Sequence, residues 1–250
     1  MACGDESESN PAGLSPDTSK KVIRAIEETI PLYDSVNDLI SFGKAQQARK
    51  YAVQELQLSD GMVVLDAGIG PGTTSKLILG AVAPRLLVGL DASVRQLKTA
   101  ELKLGSGGGV SLQLVRGSFE FLPFRHGVFD IIITCFALRD SLDLSKSIEE
   151  YHRVCNLTGA FADVDLGKPD GLIKRVASLC YIRYVMPTIA RAAIRGRIEG
   201  NPWRMIVPTF ESLPTNGDVL SRVKAKFGSA KLREFLSGGL IVIIARNKLK

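Results

Sequence analysis

The sequence predicts a doubly wound α/β fold. A mostly parallel sheet of seven strands carries helices on both faces, with N-terminal helices before it and a helical insertion near its end. Three observations carry this. The stretch MVVLDAGIGPGTTSKLIL, residues 62–79, is an apolar run, then glycines at Gly68, Gly70 and Gly72, then a helical pattern; strand, tight turn and helix in that order are the unit of a parallel sheet. Strand-length apolar runs and helical patterns then alternate as far as Lys168 and Pro169, as expected of a sheet covered on both faces. A chain of 250 residues is long enough for one domain with a single substantial core.

The elements follow in order. Residues 1–19 are polar, acidic and rich in Ser, Pro and Gly, the composition of a flexible tail. They lack the basic and apolar regions of a signal peptide. Residues 20–250 form the domain, and helical patterns fill 20–58. Strands are expected at 63–66, 86–90, 112–115, 130–135 and 160–165, with helices between them, among them 93–104 and 144–154. Alternation stops after Pro169; a mainly helical insertion covers 169–215, and one more helix precedes final strands at 231–236 and 240–245.

Composition excludes several classes. No apolar run reaches the length of a membrane-spanning helix. The four cysteines show neither metal spacing nor a paired framework. Cys135, Cys155 and Cys180 lie in apolar segments and read as buried free thiols of a reducing compartment, with Cys3 in the tail. His126 falls in a turn and His152 within a helix, neither placed for acid–base work, and no metal site is expected. The net charge of +6 sits on the folded part, because the tail is acidic. Residues 172–197 carry Lys174, Arg175, Arg183, Arg191, Arg195 and Arg197 among large apolar side chains. Two readings stay open: a segment lying on an anionic membrane surface, or a helical lid with solvated basic residues.

The glycine turn identifies a cofactor class. Glycine has no Cβ, so a ligand can lie directly on the backbone there. A dinucleotide fingerprint would need glycine at position 73, which is Thr73. The spacing from Asp66 to Gly72 is instead D-x-G-x-G-x-G, the first motif of the S-adenosylmethionine-dependent methyltransferases, a Rossmann-like class. Asp66 suits the cationic sulfonium and ammonium of that cofactor. Asp91, 25 residues on at the second strand's tip, suits the two ribose hydroxyls. Ala67 and Ala92 complete the two tips. Ligands on such sheets bind beyond the carboxyl ends of the strands, so Asp66, Asp91, Ser118 and residues 136–140 can share one site.

Several blocks resemble one branch of these enzymes, the ubiquinone/menaquinone biosynthesis C-methyltransferases. YDSVNDLISFG (33–43) is similar to that family's Y-D-x-x-N-x-x-x-S-x-G. RGSFEFLPFRHGVFDIIITCFALRD (116–140) is similar to its G-D-A-E-x-L-P-F…F-G-L-R-N, and SIEEYHRV (147–154) to its E-x-x-R-V. YIRYVMPTIAR (181–191) and LSGGLIVIIARNK (236–248) resemble its substrate-lid and final-strand blocks. There are departures. Ser118 stands where the family has an acidic residue for the adenine amino group, though Phe119 beside it can stack on the base. Asp140 replaces Asn, Ala45 and Gln46 replace a His-Arg pair, and Trp203 and Met205 replace two tyrosines of the lid. The loop N-L-T-G (156–159) is a degraded K-P-G-G.

The resemblance implies carbon methylation of an electron-rich, quinol-like ring with a polyprenyl tail, and the changed lid leaves room for an unusual quinone or another polyprenylated phenol. Arg139 would stabilise a phenolate, with Asp140 or Tyr33 as hydrogen-bond partner or base, and Phe136 beside the cofactor. A local ion pair is the alternative for Arg139 and Asp140, as helix packing against the lid is for Tyr33 and Asn37. The expected location is cytoplasmic, with peripheral contact at the inner face of the membrane through 172–197; a homo-oligomer is left open. An RNA methyltransferase and a non-catalytic cofactor-binding partner protein are the other readings. The sequence shows no appended RNA-binding module and no aromatic-rich basic patch, so no nucleic-acid partner is expected.

Overall fold

Each short apolar run, rich in β-branched residues and ended by a turn residue, becomes a strand. The computed structural model describes residues 13–30, 32–105, 111–195 and 201–247. Seven strands make one sheet: β1 (Val63–Ala67), β2 (Leu86–Asp91), β3 (Ser111–Arg116), β4 (Phe129–Cys135), β5 (Cys155–Leu166), β6 (Gly228–Phe235) and β7 (Leu240–Asn247), in the order β3-β2-β1-β4-β5-β7-β6. β1 to β5 are parallel. β7 runs antiparallel to β5 and β6, because the short link from β6 permits only a reversed return.

Ten α-helices surround it: α1 (Pro16–Thr29), α2 (Tyr33–Ile40), α3 (Lys44–Glu55), α4 (Thr73–Leu79), α5 (Val94–Leu104), α6 (Leu144–Val154), α7 (Leu172–Cys180), α8 (Met186–Ile194), α9 (Ile206–Ser212) and α10 (Asn216–Phe227) among the described residues. Successive strand residues point to opposite faces, which splits the core in two. Ile131 and Ile133 pack with Ala48 and Ala52 of α3, Leu56 just after it, and Ile78 of α4. Ile132 and Phe161 pack on the other face with Tyr151 of α6 and Phe227 of α10.

The insertion has its own core. Val36 and Ile40 of α2 meet Ile182, Met186, Ala190, Ile194, Trp203 and Phe210. α7 differs: none of its residues is buried. A π-helical turn, Tyr181–Val185, joins it to α8. The expectation that Cys180 is a buried thiol is therefore corrected, since it is exposed on α7, whereas Cys135 and Cys155 are buried. The boundary at residue 20 also moves. Ser15 caps α1 by accepting a bond from the Thr18 amide at 3.2 Å, so residues 16–19 are its first turn. Residues 1–12 with Cys3, residues 196–200 with Arg197, and Lys248 lie outside the described residues.

Candidate cofactor and acceptor cavities

Strand register brings the tips together. Ala67 at the end of β1 lies between Leu90 of β2 and Thr134 of β4. The turn after β1 folds onto β2, with the Gly68 and Ile69 amides donating to the Leu90 carbonyl at 2.7 and 3.0 Å. The order of strands reverses at β1, where open α/β sheets hold ligands. Gly68, Gly70 and Gly72 all have positive φ, at 78°, 53° and 85°, but their surroundings differ. A Cβ on Gly68 would lie 2.3 Å from the Ala137 Cβ, and one on Gly72 2.8 Å from Leu104 Cδ1. At Gly70 its nearest neighbour would be a carbonyl oxygen 4.0 Å away. Gly70 alone of the three opens into free space.

That space is a cavity of about 280 Å³. Its walls include Gly68, Gly70, Asp91, Ala92, Ser118, Phe119, Phe136, Asp140 and Tyr33. The Asp91 carboxylate accepts from the Gly70 amide through one oxygen and the Ser93 amide through the other, each at 2.9 Å. Burial raises its pKa, and these two bonds act against the rise. Each oxygen keeps a further acceptor site for a ligand hydroxyl. Three of the expected residues stand back from the cavity wall. Asp66 is buried behind the turn, accepting the Ser75 hydroxyl at 2.6 Å, and burial pushes its pKa up to about 6. Ala67 is fully enclosed in β1, and Gly72 faces Leu104. None of the three lines the cavity; they support the turn from behind.

A second cavity, of about 490 Å³, adjoins the first and is mainly apolar. Its wall is drawn from α2, the α2–α3 link, α7, α8 and the β6–β7 link, and Tyr33 and Phe136 line both cavities. Phe136 follows β4 with a positive φ of 59°, an uncommon conformation for a ring-bearing residue. Its amide donates to the Val164 carbonyl at 2.7 Å, and the Arg49 and Arg139 guanidinium carbons lie 4.7 and 5.7 Å from its ring centre.

Arg139 lines this second cavity. Its Nη1 donates to Asp165 Oδ1 at 2.7 Å, its amide to Asp165 Oδ2 at 2.9 Å, and its Nε lies 3.7 Å from Asp140 Oδ1. Burial opposes its charge, but the two carboxylates more than restore it. Asp140 lies in the short 3₁₀ turn Leu138–Asp140. Burial pushes its pKa up to about 7 against the pull of Arg139, leaving a carboxyl group balanced near neutrality. Tyr33 is raised by burial, with Arg139 and Arg49 opposing. Arg139 and Asp140 thus close an ion pair, and each also lines a cavity.

The resembling blocks work as fasteners. Asp34 accepts the Thr73 hydroxyl at 2.7 Å, tying α2 to the glycine turn. Asn37 accepts the Trp203 indole N–H at 3.0 Å and also lines the second cavity. Glu150 accepts the Leu122 amide at 2.8 Å, and Arg153 donates to the Leu122 and Phe124 carbonyls at 3.0 and 2.8 Å. The E-x-x-R pair therefore holds the loop that carries Ser118 and Phe119. His126 and His152 line neither cavity, and His152 packs edge-on against Phe227.

Sequence reasoning missed three contributors. Ser19, Val22, Ile23 and Ile26 of α1 cover the first cavity, and Glu27 accepts the Ser93 hydroxyl at 2.5 Å. Their helical period gives no clue to which face meets a ligand. Arg49 lines the first cavity from α3. Asp165 was signalled only by carboxylates at alternate positions, 163 and 165, inside an apolar strand.

The profile of the ubiE/COQ5 methyltransferase family matches residues 16–245. The ubiquinone/menaquinone biosynthesis C-methyltransferase of Syntrophotalea carbinolica is 30% identical over 85% of this chain and 88% of its own length. The demethylmenaquinone methyltransferase of Listeria welshimeri is 29% identical over 69% of this chain and 73% of its own. In fold, the chain is similar to a putative S-adenosyl-L-methionine-dependent methyltransferase of Methanococcus maripaludis, with a TM-score of 0.57 at 16% identity, covering all of this chain and 98% of that one. The chain belongs to the ubiE/COQ5 methyltransferase family and is an S-adenosylmethionine-dependent methyltransferase. The first cavity fits this cofactor on observations of its own: open space over Gly70, and an Asp91 carboxylate with acceptor sites to spare.

Proposed function

We propose that this enzyme transfers a methyl group to a ring carbon of a quinol-type aromatic bearing a long apolar tail. The observation that carries the reading is the junction of the two cavities: a large apolar cavity meets the cofactor cavity at Tyr33 and Phe136. Asp91 would accept the ribose hydroxyls, the Gly68 to Gly70 backbone would bear the ligand, and Ala92, Ser118 and Phe119 would border the adenine. Bound S-adenosylmethionine supplies a methyl group already activated on a sulfonium. The protein then has to orient the ring, exclude water and manage one phenolic proton. Arg139, permanently cationic, would stabilise negative charge on the phenol oxygen. Asp140 would take the proton, with Tyr33 hydrogen-bonded between them.

Docking at an anionic membrane belongs to the same reading. Leu172, Ile173 and Val176 of α7 are exposed, and Phe42, Ile173 and Leu236, all exposed, line the apolar cavity. Not every basic residue of the segment is free to meet lipid. Arg175 donates to the Pro169 and Asp170 carbonyls, and Arg183 pairs with Glu211. Lys174, Arg191 and Arg195 remain for that role on the cytoplasmic face of a membrane.

The test is methyl transfer to a demethylated quinol, with the new bond located by NMR. A methyl group on a ring carbon supports the reading. A methyl group on oxygen, or no transfer to any quinol while S-adenosylhomocysteine still binds, overturns it.

A further inference from the structure

We propose that Arg49 binds the carboxylate of the cofactor's amino-acid end, so that the first cavity selects for that carboxylate. The inference rests on the cofactor's place in the first cavity and goes beyond it to a residue that no motif of the sequence signals.

Arg49 lies on the inner face of α3 and is 5% exposed. Its Nε is buried without a hydrogen-bond partner. None of the six ion pairs among the described residues includes it. Taking a guanidinium out of water without partners is costly, and arginine cannot escape that cost by losing its proton. Arg139, the other arginine at the site, is by contrast held by Asp165. Among the described residues, Arg49 faces the Phe136 ring, 4.7 Å from its guanidinium carbon, and lies in the field of Asp66, which burial keeps raised to about 6 despite Arg49. That is weak compensation for a buried full charge.

Position decides which anion would complete it. Arg49 lines the cofactor cavity together with Gly68, Gly70, Thr73 and Thr74. Its charge acts on Tyr33, Asp66 and Cys135, which places it toward the β1 and β4 tips. The acidic wall, Asp91, stands at the β2 tip. A ligand whose hydroxyls lie on Asp91 and whose body crosses the glycine turn directs its far end at Arg49. In S-adenosylmethionine that end is an α-amino acid. A carboxylate matches the guanidinium fork with charge-assisted hydrogen bonds.

Titration calorimetry on the full chain tests this with three nucleosides: S-adenosylhomocysteine, its analogue lacking only the carboxylate, and 5′-methylthioadenosine, which lacks the whole amino acid. The native chain should prefer S-adenosylhomocysteine to the decarboxylated analogue by about thirtyfold, as for a charge-assisted contact. Arg49→Met should remove that preference, leaving affinity for the other two nucleosides within about twofold. Arg49→Lys, which keeps the charge, should retain part of it and guards against a misfolded methionine variant. Equal affinity of the native chain for the acid and its decarboxylated analogue overturns the proposal while leaving the cofactor site standing. Equal losses for all three ligands in Arg49→Met show a packing role and overturn it too. No binding of any nucleoside to the native chain would remove the cofactor cavity itself.

Discussion

The two cavities of this enzyme are built by opposite means. The first rests on backbone: a glycine turn, the ends of β1, β2 and β4, and amides that hold the Asp91 carboxylate at both oxygens. The second rests on side chains from helices far apart in sequence, joined by contacts such as Trp203 to Asn37 and Tyr181 to the Ile40 carbonyl. A backbone-built site admits few sequences and ties ligand geometry to sheet register. A site lined by packed helices can be resurfaced without disturbing the sheet. Trp203, Met205 and Ala45, three of the positions that depart from the family pattern, belong to the helical side, whereas two others, Ser118 and Asp140, line the first cavity.

The contrast can be broken most directly at the glycines. Gly70→Val should abolish S-adenosylhomocysteine binding in calorimetry, because the side chain would fill the open space and strain a positive φ. Gly72→Ala should instead lower the melting temperature and leave binding in the folded fraction, since its Cβ meets Leu104. Matching behaviour of the two variants would erase the distinction drawn here.

At the junction, Arg139→Lys should cut turnover by about a hundredfold, as for loss of a positioned transition-state donor, with cofactor affinity unchanged. Lysine is the better probe than alanine, because removing the charge would strand Asp165, and breaking a buried pair costs about 3–5 kcal/mol. A fall in affinity as large as the fall in rate would make Arg139 purely structural. Asp91→Ala should weaken S-adenosylhomocysteine by about one to two decades, as for a net loss of charged hydrogen bonding worth about 1.5–3 kcal/mol. An unchanged dissociation constant would take Asp91 out of the site.

Asp140 offers a pH test. With its pKa pushed up to about 7 by burial, turnover should fall about tenfold per unit below that pH, and Asp140→Asn should remove the limb along with most of the rate. The stability effect has the opposite sense. An unfolded aspartate titrates near its ordinary value of about 3.9, so the folded chain holds this proton more tightly. Its contribution is whole below about pH 4 and is lost as pH rises through about 7. Asp140→Asn should therefore flatten the decline of the denaturation midpoint across that window. The smallest effect is expected at the exterior: Ile173→Asp should reduce sedimentation with anionic vesicles about threefold, by removing one inserted apolar side chain. Unaltered sedimentation would detach α7 from the membrane reading.

Legibility in the sequence followed the same division. Strands, their order of appearance and the Gly68 to Asp91 half of the site could be read because local period and glycine geometry act over a few residues. The places of Asp66, Ala67 and Gly72 behind the turn were not legible, because a motif marks residues that build a turn and residues that line a cavity alike. Their separation appears only when neighbours such as Leu104 and Ser75 are known. Arg49, Asp165 and the inward face of α1 depend on contacts between distant segments, and periodicity is silent about those. Cys180 was read as buried from its apolar neighbours, but Leu172, Ile173 and Val176 of α7 are exposed themselves and only Leu179 packs inward.

α7 also has a kinetic consequence. It and α8 form one helical run through the π turn, yet α8 is anchored by the buried Met186, Ala190 and Ile194, whereas α7 has no buried residue and touches that core through Leu179 alone among its large apolar side chains. Segments with few buried apolar contacts open locally at a small fraction of the global unfolding free energy. Amide hydrogens of α7 will therefore exchange with solvent deuterium far sooner than those of α8, with the boundary near the π turn. On the proposed reading, the cavity wall that α7 provides would open while the sheet stays closed, and access for a long tail would be a local event on its own clock.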